Sequence, residues 1–333
     1  MHYQGNRMQQ RHRAHQDASL LDMLPPRFGP CSVLLLILAL TDIPASAREN
    51  AVPSSPKRTA NWIILAKPIQ LVNGAPIFLQ VTPPVRLSAL TATWLGHDIA
   101  FAQSGKTWVA LAGVSLETSA GKYPLLLNGT TVSGGNIFDR RSFTIARGKY
   151  PIVQLTVSKQ FTEPTPQQQQ TIKDDQEIKH KTFAETSTER QWSGPFTAPV
   201  DAAVSDVFGT RRVFNGATKS LHQGLDYRVP SGTPVHALNR GTVLLAQALY
   251  FEGNCVMIDH GQGLLSLYLH LSQIDVKEGD HIERGQQIGL SGATGRATGP
   301  HLHIAVRWQG VYLNPAALLA LPLPEITTQS ATR

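Results

Sequence analysis

Short apolar runs separated by turn signals recur along most of this chain, and that pattern favours strands over long helices. In the first half the runs cover residues 77–81, 92–95, 108–113, 123–127 and 152–157. Between them lie Asn73-Gly74, Pro83-Pro84, Asn128-Gly129 and Gly134-Gly135, dipeptides that favour turns. In the second half the runs cover 233–237, 241–246, 255–259, 264–269, 301–306 and 311–313, with Gly261-Gln262-Gly263 as a hairpin turn. A strand of about four to eight residues fits each run, whereas a helix needs a sustained 3.6-residue period. No long amphipathic helix is visible in the second half, and the 27 Gly and 22 Pro agree with a turn-rich, mainly β protein.

At 333 residues the chain suits two modest domains. The expected architecture is an N-terminal, immunoglobulin-like β-sandwich over 61–160, a helical or flexible linker over 161–194, and an antiparallel β-sheet domain over 195–325. A flexible leader (48–60) and a tail (326–333) complete it. Residues 163–191 are rich in Gln, Lys, Glu and Thr, with Ile172, Ile178 and Phe183 as their few apolar points. They read either as a lightly packed helix over about 167–190 or as a disordered linker.

Residues 33–40 form an unbroken apolar run of eight, preceded by Arg27 and followed by Pro44-Ala45-Ser46-Ala47. A basic flank, a short apolar core and an Ala-x-Ala ending make a secretory signal peptide over 1–47, cleaved after Ala47. Met23 is an alternative start. The run falls short of the roughly 20 residues that span a bilayer as a helix. Export to the periplasm or beyond, with no stable membrane span after cleavage, is the expectation; an uncleaved anchor is the competing one. Cys255 is then the lone cysteine of the mature chain and reads as a small buried hydrophobe.

The formal net charge is +7. Residues 48–194 carry sixteen Lys or Arg against ten Asp or Glu, while 195–333 carry ten of each. A basic first half favours anionic partners such as wall polymers or headgroups, or is merely a solvated surface. Lys and Arg do not cluster as a nucleic-acid footprint requires, so no nucleic-acid partner is expected.

The residues that carry chemistry lie in the second half. His222-Gln223-Gly224-Leu225-Asp226 is an H-x-x-x-D; His270 stands in Tyr-Leu-His-Leu-Ser; His301-Leu302-His303 is an H-x-H. On a strand, i and i+2 share a face, so His301 and His303 project together while Leu302 and Ile304 face the core. One of two adjacent imidazoles suits a metal and the other a catalytic role. Catalytic zinc takes three protein ligands and keeps a position for water, and His222, Asp226 and His303 make a two-His, one-carboxylate set. Each pattern alone is common; their joint occurrence in one exported β domain is not.

Together these motifs closely resemble the lysostaphin-type (LytM-type) zinc endopeptidases. The matching positions run from Phe208-Gly209 through His222-x-Gly224-x-Asp226, Gly232-Thr233-Pro234-Val235, His260-Gly261, Tyr268-x-His270-Leu271, Gly285-Gln286-x-Ile288-Gly289 and Gly292-x-Thr294-Gly295 to His301-x-His303. They cover about a third of the chain; the arrangement of sandwich and linker is similar to Gram-negative members. The resemblance implies an antiparallel sheet with a groove over zinc, peptidoglycan stem peptides or cross-links as substrate, His222, Asp226 and His303 as zinc ligands, and His270 and His301 as the catalytic histidines.

Zinc would bring the pKa of a bound water to about 7, and a neighbouring His can take its proton or stabilise the oxyanion; the sequence leaves open which of His270 and His301 does which. None of the five positions departs from the pattern, which favours an enzyme over a non-catalytic wall-binding or enzyme-activating module. His260 reads as a turn stabiliser, His281 as solvated and His236 as a core residue. Arg211-Arg212 is the candidate contact for a substrate carboxylate, or else a surface pair.

Overall fold

Alternating burial along Leu87–Trp94 turns Leu87, Leu90, Ala92 and Trp94 inward, and the neighbouring strands follow the same rule. The computed structural model describes residues 61–325 apart from Ala217. The expected signal peptide, leader and tail lie outside the described residues. In the first half, one sheet runs Ile63–Lys67, Pro76–Thr82, Thr107–Gly113, Ala102–Ser104. The second runs Leu71–Val72, Asn136–Ala146, Gly121–Thr131, Leu87–Trp94, His97–Ala100. They share a core of Ile77, Leu79, Leu125, Leu127 and Trp94, each such side chain contributing about 1.5–3 kcal/mol by leaving water. Trp94 stitches the sheets together, its indole N–H donating to the Gly113 carbonyl at 2.8 Å.

Two features of the connecting segment go beyond the sequence reading. Strand Ile152–Leu155 pairs in parallel with Arg211–Phe214 of the second half and belongs to neither sandwich sheet. The linker is a helix, α1, over Pro166–Ala184, ending earlier than the periodicity predicts. Thr165 and Gln168 form a capping box and Pro166 opens the first turn. Asp175 accepts the Tyr250 N–H at 2.6 Å, Lys179 pairs with Glu252 at 2.5 Å, and Ile178 and Phe183 pack on Leu245, Leu249, Met257, Leu265 and Leu267. So few apolar points gave the sequence little amphipathic signal, and tertiary contacts decide the helix.

The second half is built on an antiparallel sheet in the order Val204–Asp206, Leu225–Tyr227, Leu302–Trp308, Leu264–Leu271, Gly253–Asp259, Gly241–Leu249, His281–Ile282. Val311–Leu313 pairs with Leu302–Trp308, and a small sheet of Pro234–His236, Gln287–Leu290 and Gln273–Ile274 lies apart. Val256, Ile258, Tyr268, Leu302 and Ile304 are wholly buried. The halves pack together: the Asn314 N–H donates to the Gly74 carbonyl at 2.8 Å, and the Leu313 side chain closes on Gly113. Among the described residues no helix is long and apolar enough to cross a membrane.

His260 does more than stabilise its turn. Its ring is completely buried, Nδ1–H donating to the Arg240 carbonyl at 2.6 Å with Nε2 at 2.8 Å from Ser266 Oγ. Burial pushes the imidazole down to about 4, although the Arg240 bond favours the charged form. The unfolded chain takes up a proton near pH 6.5 and the folded one does not until about 4. Stability is therefore full above that window and lost as pH falls through it, by about 3 kcal/mol from this residue. Urea unfolding at pH 7 and pH 4.5 should show a larger loss in the wild type than in His260→Gln. Equal losses would show that His260 does not carry the effect.

Candidate metal centre

The segment entering strand Leu225–Tyr227 sets the site. His222 donates Nδ1–H to the Val207 carbonyl at 2.8 Å, which leaves Nε2 as a lone pair. Gly224 must be small: a Cβ there would fall 2.4 Å from His303 Nε2 and 2.3 Å from the Ile304 carbonyl oxygen. Asp226 then stands opposite His303 in the antiparallel register, and His303 opposite Leu269 on the other side.

These positions bring three donor atoms together. His222 Nε2 lies 3.1 Å from Asp226 Oδ1 and 3.1 Å from His303 Nδ1, and His303 Nδ1 lies 2.7 Å from Asp226 Oδ1. All three residues are buried. Burial alone would raise the Asp226 carboxyl, but the adjoining His222 and His303 imidazoles outweigh it and hold the group well below the usual carboxylate range. The His303 imidazole is lowered by burial despite its bond to Asp226. Two imidazole nitrogens and one ionised carboxylate oxygen converging at this spacing fit zinc, with three protein ligands and a position left for water.

Arg212, open in the sequence between a substrate contact and a surface residue, is held inside the site by two carboxylates. Its guanidinium binds Asp206 Oδ2 through Nε at 2.9 Å and Nη2 at 2.6 Å, and Nη2 also bonds Asp226 Oδ2. Arg212 thus holds the far oxygen of Asp226 and leaves Oδ1 facing the two imidazoles, as a metal ligand would require. Arg211 is exposed and lies outside the pocket lining. Groups that orient a metal ligand are worth about 10–100-fold in affinity. Arg212→Gln should weaken zinc by that factor in chelator competition, and unchanged affinity would show that Asp226 needs no such support.

His270 and His301 sit beside the three donors. The rings of His270 and His301 are 4.8 Å apart, and His270 is 6.0 Å from His303. His270 Nδ1–H donates to the Thr294 carbonyl at 2.8 Å and His301 Nδ1–H to the Gly299 carbonyl at 2.8 Å, so each presents Nε2 as a lone pair. Burial, then the neighbouring His303 and His301, push His270 down to about 3, so the imidazole is neutral. His270 has φ +63° where the chain leaves its ladder, a left-handed conformation that re-aims its side chain. The sequence predicts His301 within a strand; instead the strand begins at Leu302, and His301 is held by an isolated bridge to Gly292.

A pocket of about 420 Å³ contains all five residues. Its wall also includes Leu155, Lys179, Phe214, Arg228, Phe251, Glu252 and Arg296, none of which the sequence reading singled out. Residues 298–300, rather than the Gly-rich 291–295, line it beside His301. His236, half-buried, His260 and His281, exposed, lie outside its lining.

Residues 220–315 match the family described as peptidase family M23. Among characterised relatives, peptidoglycan DD-endopeptidase ShyA of Vibrio cholerae is 44% identical over 120 residues, 35% of this chain and 28% of that protein. DD-carboxypeptidase/endopeptidase Mpg of Neisseria meningitidis serogroup B is 44% identical over 124 residues, 37% of this chain and 28% of that protein. The match thus spans little more than a quarter of each relative's length. A crystal structure from Pseudomonas aeruginosa assigned to peptidase M23 is 29% identical with a TM-score of 0.56, covering 75% of this chain and 95% of that one.

Proposed function

We propose, from the premise that this chain belongs to peptidase family M23 through residues 220–315, that it is an exported zinc metalloendopeptidase hydrolysing peptide bonds of peptidoglycan stem peptides or cross-links. The observation that carries this reading is the convergence of His222 Nε2, Asp226 Oδ1 and His303 Nδ1, with His270 and His301 beside them in one pocket. Relatives named for DD-endopeptidase action on peptidoglycan support the substrate class. The signal-like residues 1–47 support work in the periplasm or outside the cell. We divide the chain accordingly: a sandwich segment over 61–160, whose last strand Ile152–Leu155 pairs instead with Arg211–Phe214, a linker over 161–194 and the peptidase over 195–325, with a signal (1–47), a leader (48–60) and a tail (326–333).

His222, Asp226 and His303 are the residues that would hold zinc. When bound, zinc supplies Lewis acidity toward the scissile carbonyl and a water molecule. The chain does the rest. Arg212 fixes the carboxylate, and the Val207 carbonyl fixes the ring of His222. His270 and His301, each held by a carbonyl at Nδ1, turn Nε2 toward the pocket. One accepts the proton of the attacking water at Nε2, and the other, once protonated at Nε2, donates to the oxygen that gains charge as the carbon becomes tetrahedral.

The test is zinc content together with hydrolysis of purified peptidoglycan, products identified by mass. Zinc at one equivalent and cleavage of peptide rather than glycan bonds is the expected result. Stoichiometric zinc without any cleavage would instead support a non-catalytic wall-binding or enzyme-activating module.

A further inference from the structure

Arg296 is the one arginine of the pocket that is both fixed in place and unused. Its guanidinium lies 4.5 Å from the ring centroid of Phe251 and 5.1 Å from that of Phe214. Among the described residues it makes no ion pair and no side-chain hydrogen bond. The neighbouring Glu252 pairs through Oε1 with Lys179 at 2.5 Å; its buried Oε2 has no hydrogen-bond partner and its charge favours the guanidinium without bonding it. Arg212 is spent on Asp206 and Asp226, and Arg228 is exposed. A guanidinium stacked on aromatic faces keeps its planar fork of N–H donors, and that fork matches a carboxylate in bidentate geometry.

The backbone beneath Arg296 is also fixed. Its N–H donates to the Phe251 carbonyl at 2.9 Å. Thr294 Oγ1 accepts the Asn254 N–H at 2.9 Å and donates to the Leu271 carbonyl at 2.8 Å. Gly295, at φ +68°, comes so close to the neighbouring turn that a Cβ would meet Gly253 N at 2.3 Å. Little side-chain or loop freedom is left to lose on binding, which raises the affinity of a charged contact.

We propose that Arg296 is a specificity residue that binds a free carboxylate carried by a substrate residue flanking the scissile bond. This rests on the peptidase reading above and deepens it: the substrate is a peptide with an unmodified carboxylate beside the scissile bond, and its amidated counterpart is discriminated against.

The experiment compares zinc-loaded protein on two synthetic stem-peptide substrates, identical except for a carboxylate or a carboxamide at that residue. A charge-assisted contact of this kind predicts that the wild type prefers the carboxylate by about 10–100-fold in kcat/KM. Arg296→Gln should reduce the ratio to within about twofold of unity, and Arg296→Lys, which keeps the charge without the fork, should give an intermediate ratio. A purely structural role would lower both rates and leave the ratio unchanged. The idea is overturned by equal wild-type rates on the two peptides, which needs no variant to fold, or by a preference that survives in Arg296→Gln. Zinc-loaded wild type that cleaves neither peptide nor peptidoglycan overturns the peptidase reading as well, whereas equal cleavage of both peptides overturns only the role of Arg296.

Discussion

Alanine at His222 or at His303 should remove bound zinc and measurable peptidoglycan hydrolysis together. The three donor atoms lie within 4.8 Å of one another, contributed by a loop and two adjacent strands. Three protein ligands are the complement of a catalytic zinc, so either substitution leaves two, and the remaining imidazole and Asp226 cannot enclose the ion. The loss should be all-or-none, larger than for any other change considered, and the fold should survive because the surrounding sheet is held by apolar side chains such as Leu302 and Ile304. Metal analysis and hydrolysis on the same preparation provide the test, with circular dichroism to verify folding. His281→Ala, at an exposed position outside the pocket, is the control and should retain both. Full zinc in either site variant would remove that residue from the ligand set.

Alanine at His270 or at His301 should separate the two properties. Each ring is held at Nδ1 by a backbone carbonyl, Thr294 for His270 and Gly299 for His301, so neither depends on the metal for its orientation. Neither belongs to the convergent donor set. Both variants should keep zinc and lose about 10²–10⁴-fold in turnover, the usual contribution of a positioned proton-transfer group. Loss of zinc in His301→Ala would mean that His301 and His303 have exchanged roles. Retention of zinc with near-normal turnover in both would place the general base elsewhere.

These two experiments address residues already legible in the chain. His222, Asp226, His270, His301 and His303 stand in short local motifs, because two donors on one strand or turn must be close in sequence to be close in space. The strands were legible for a related reason: burial on a sheet has a fixed two-residue period, and Leu87–Trp94 and Leu264–Leu271 carry it or its fully buried equivalent. What the local pattern did not contain was partnership over distance. Arg212 resembles a surface arginine in the sequence and becomes internal only because folding places Asp206 and Asp226 beside it. His260 resembles a turn residue and becomes a buried imidazole only because Arg240 and Ser266 close over it. Ile152–Leu155 reads with the sandwich yet pairs with Arg211–Phe214, since a lone apolar run does not specify its neighbour. The linker helix depends on Tyr250 and Glu252, remote residues that receive Asp175 and Lys179. Periodicity and turn residues thus determined the strands, and short motifs pointed to the candidate donors; the partners of each charge, the tautomer of each imidazole and the arginine left facing the pocket were decided by tertiary structure, because hydrogen bonding and charge pairing act through space and leave no period along the chain.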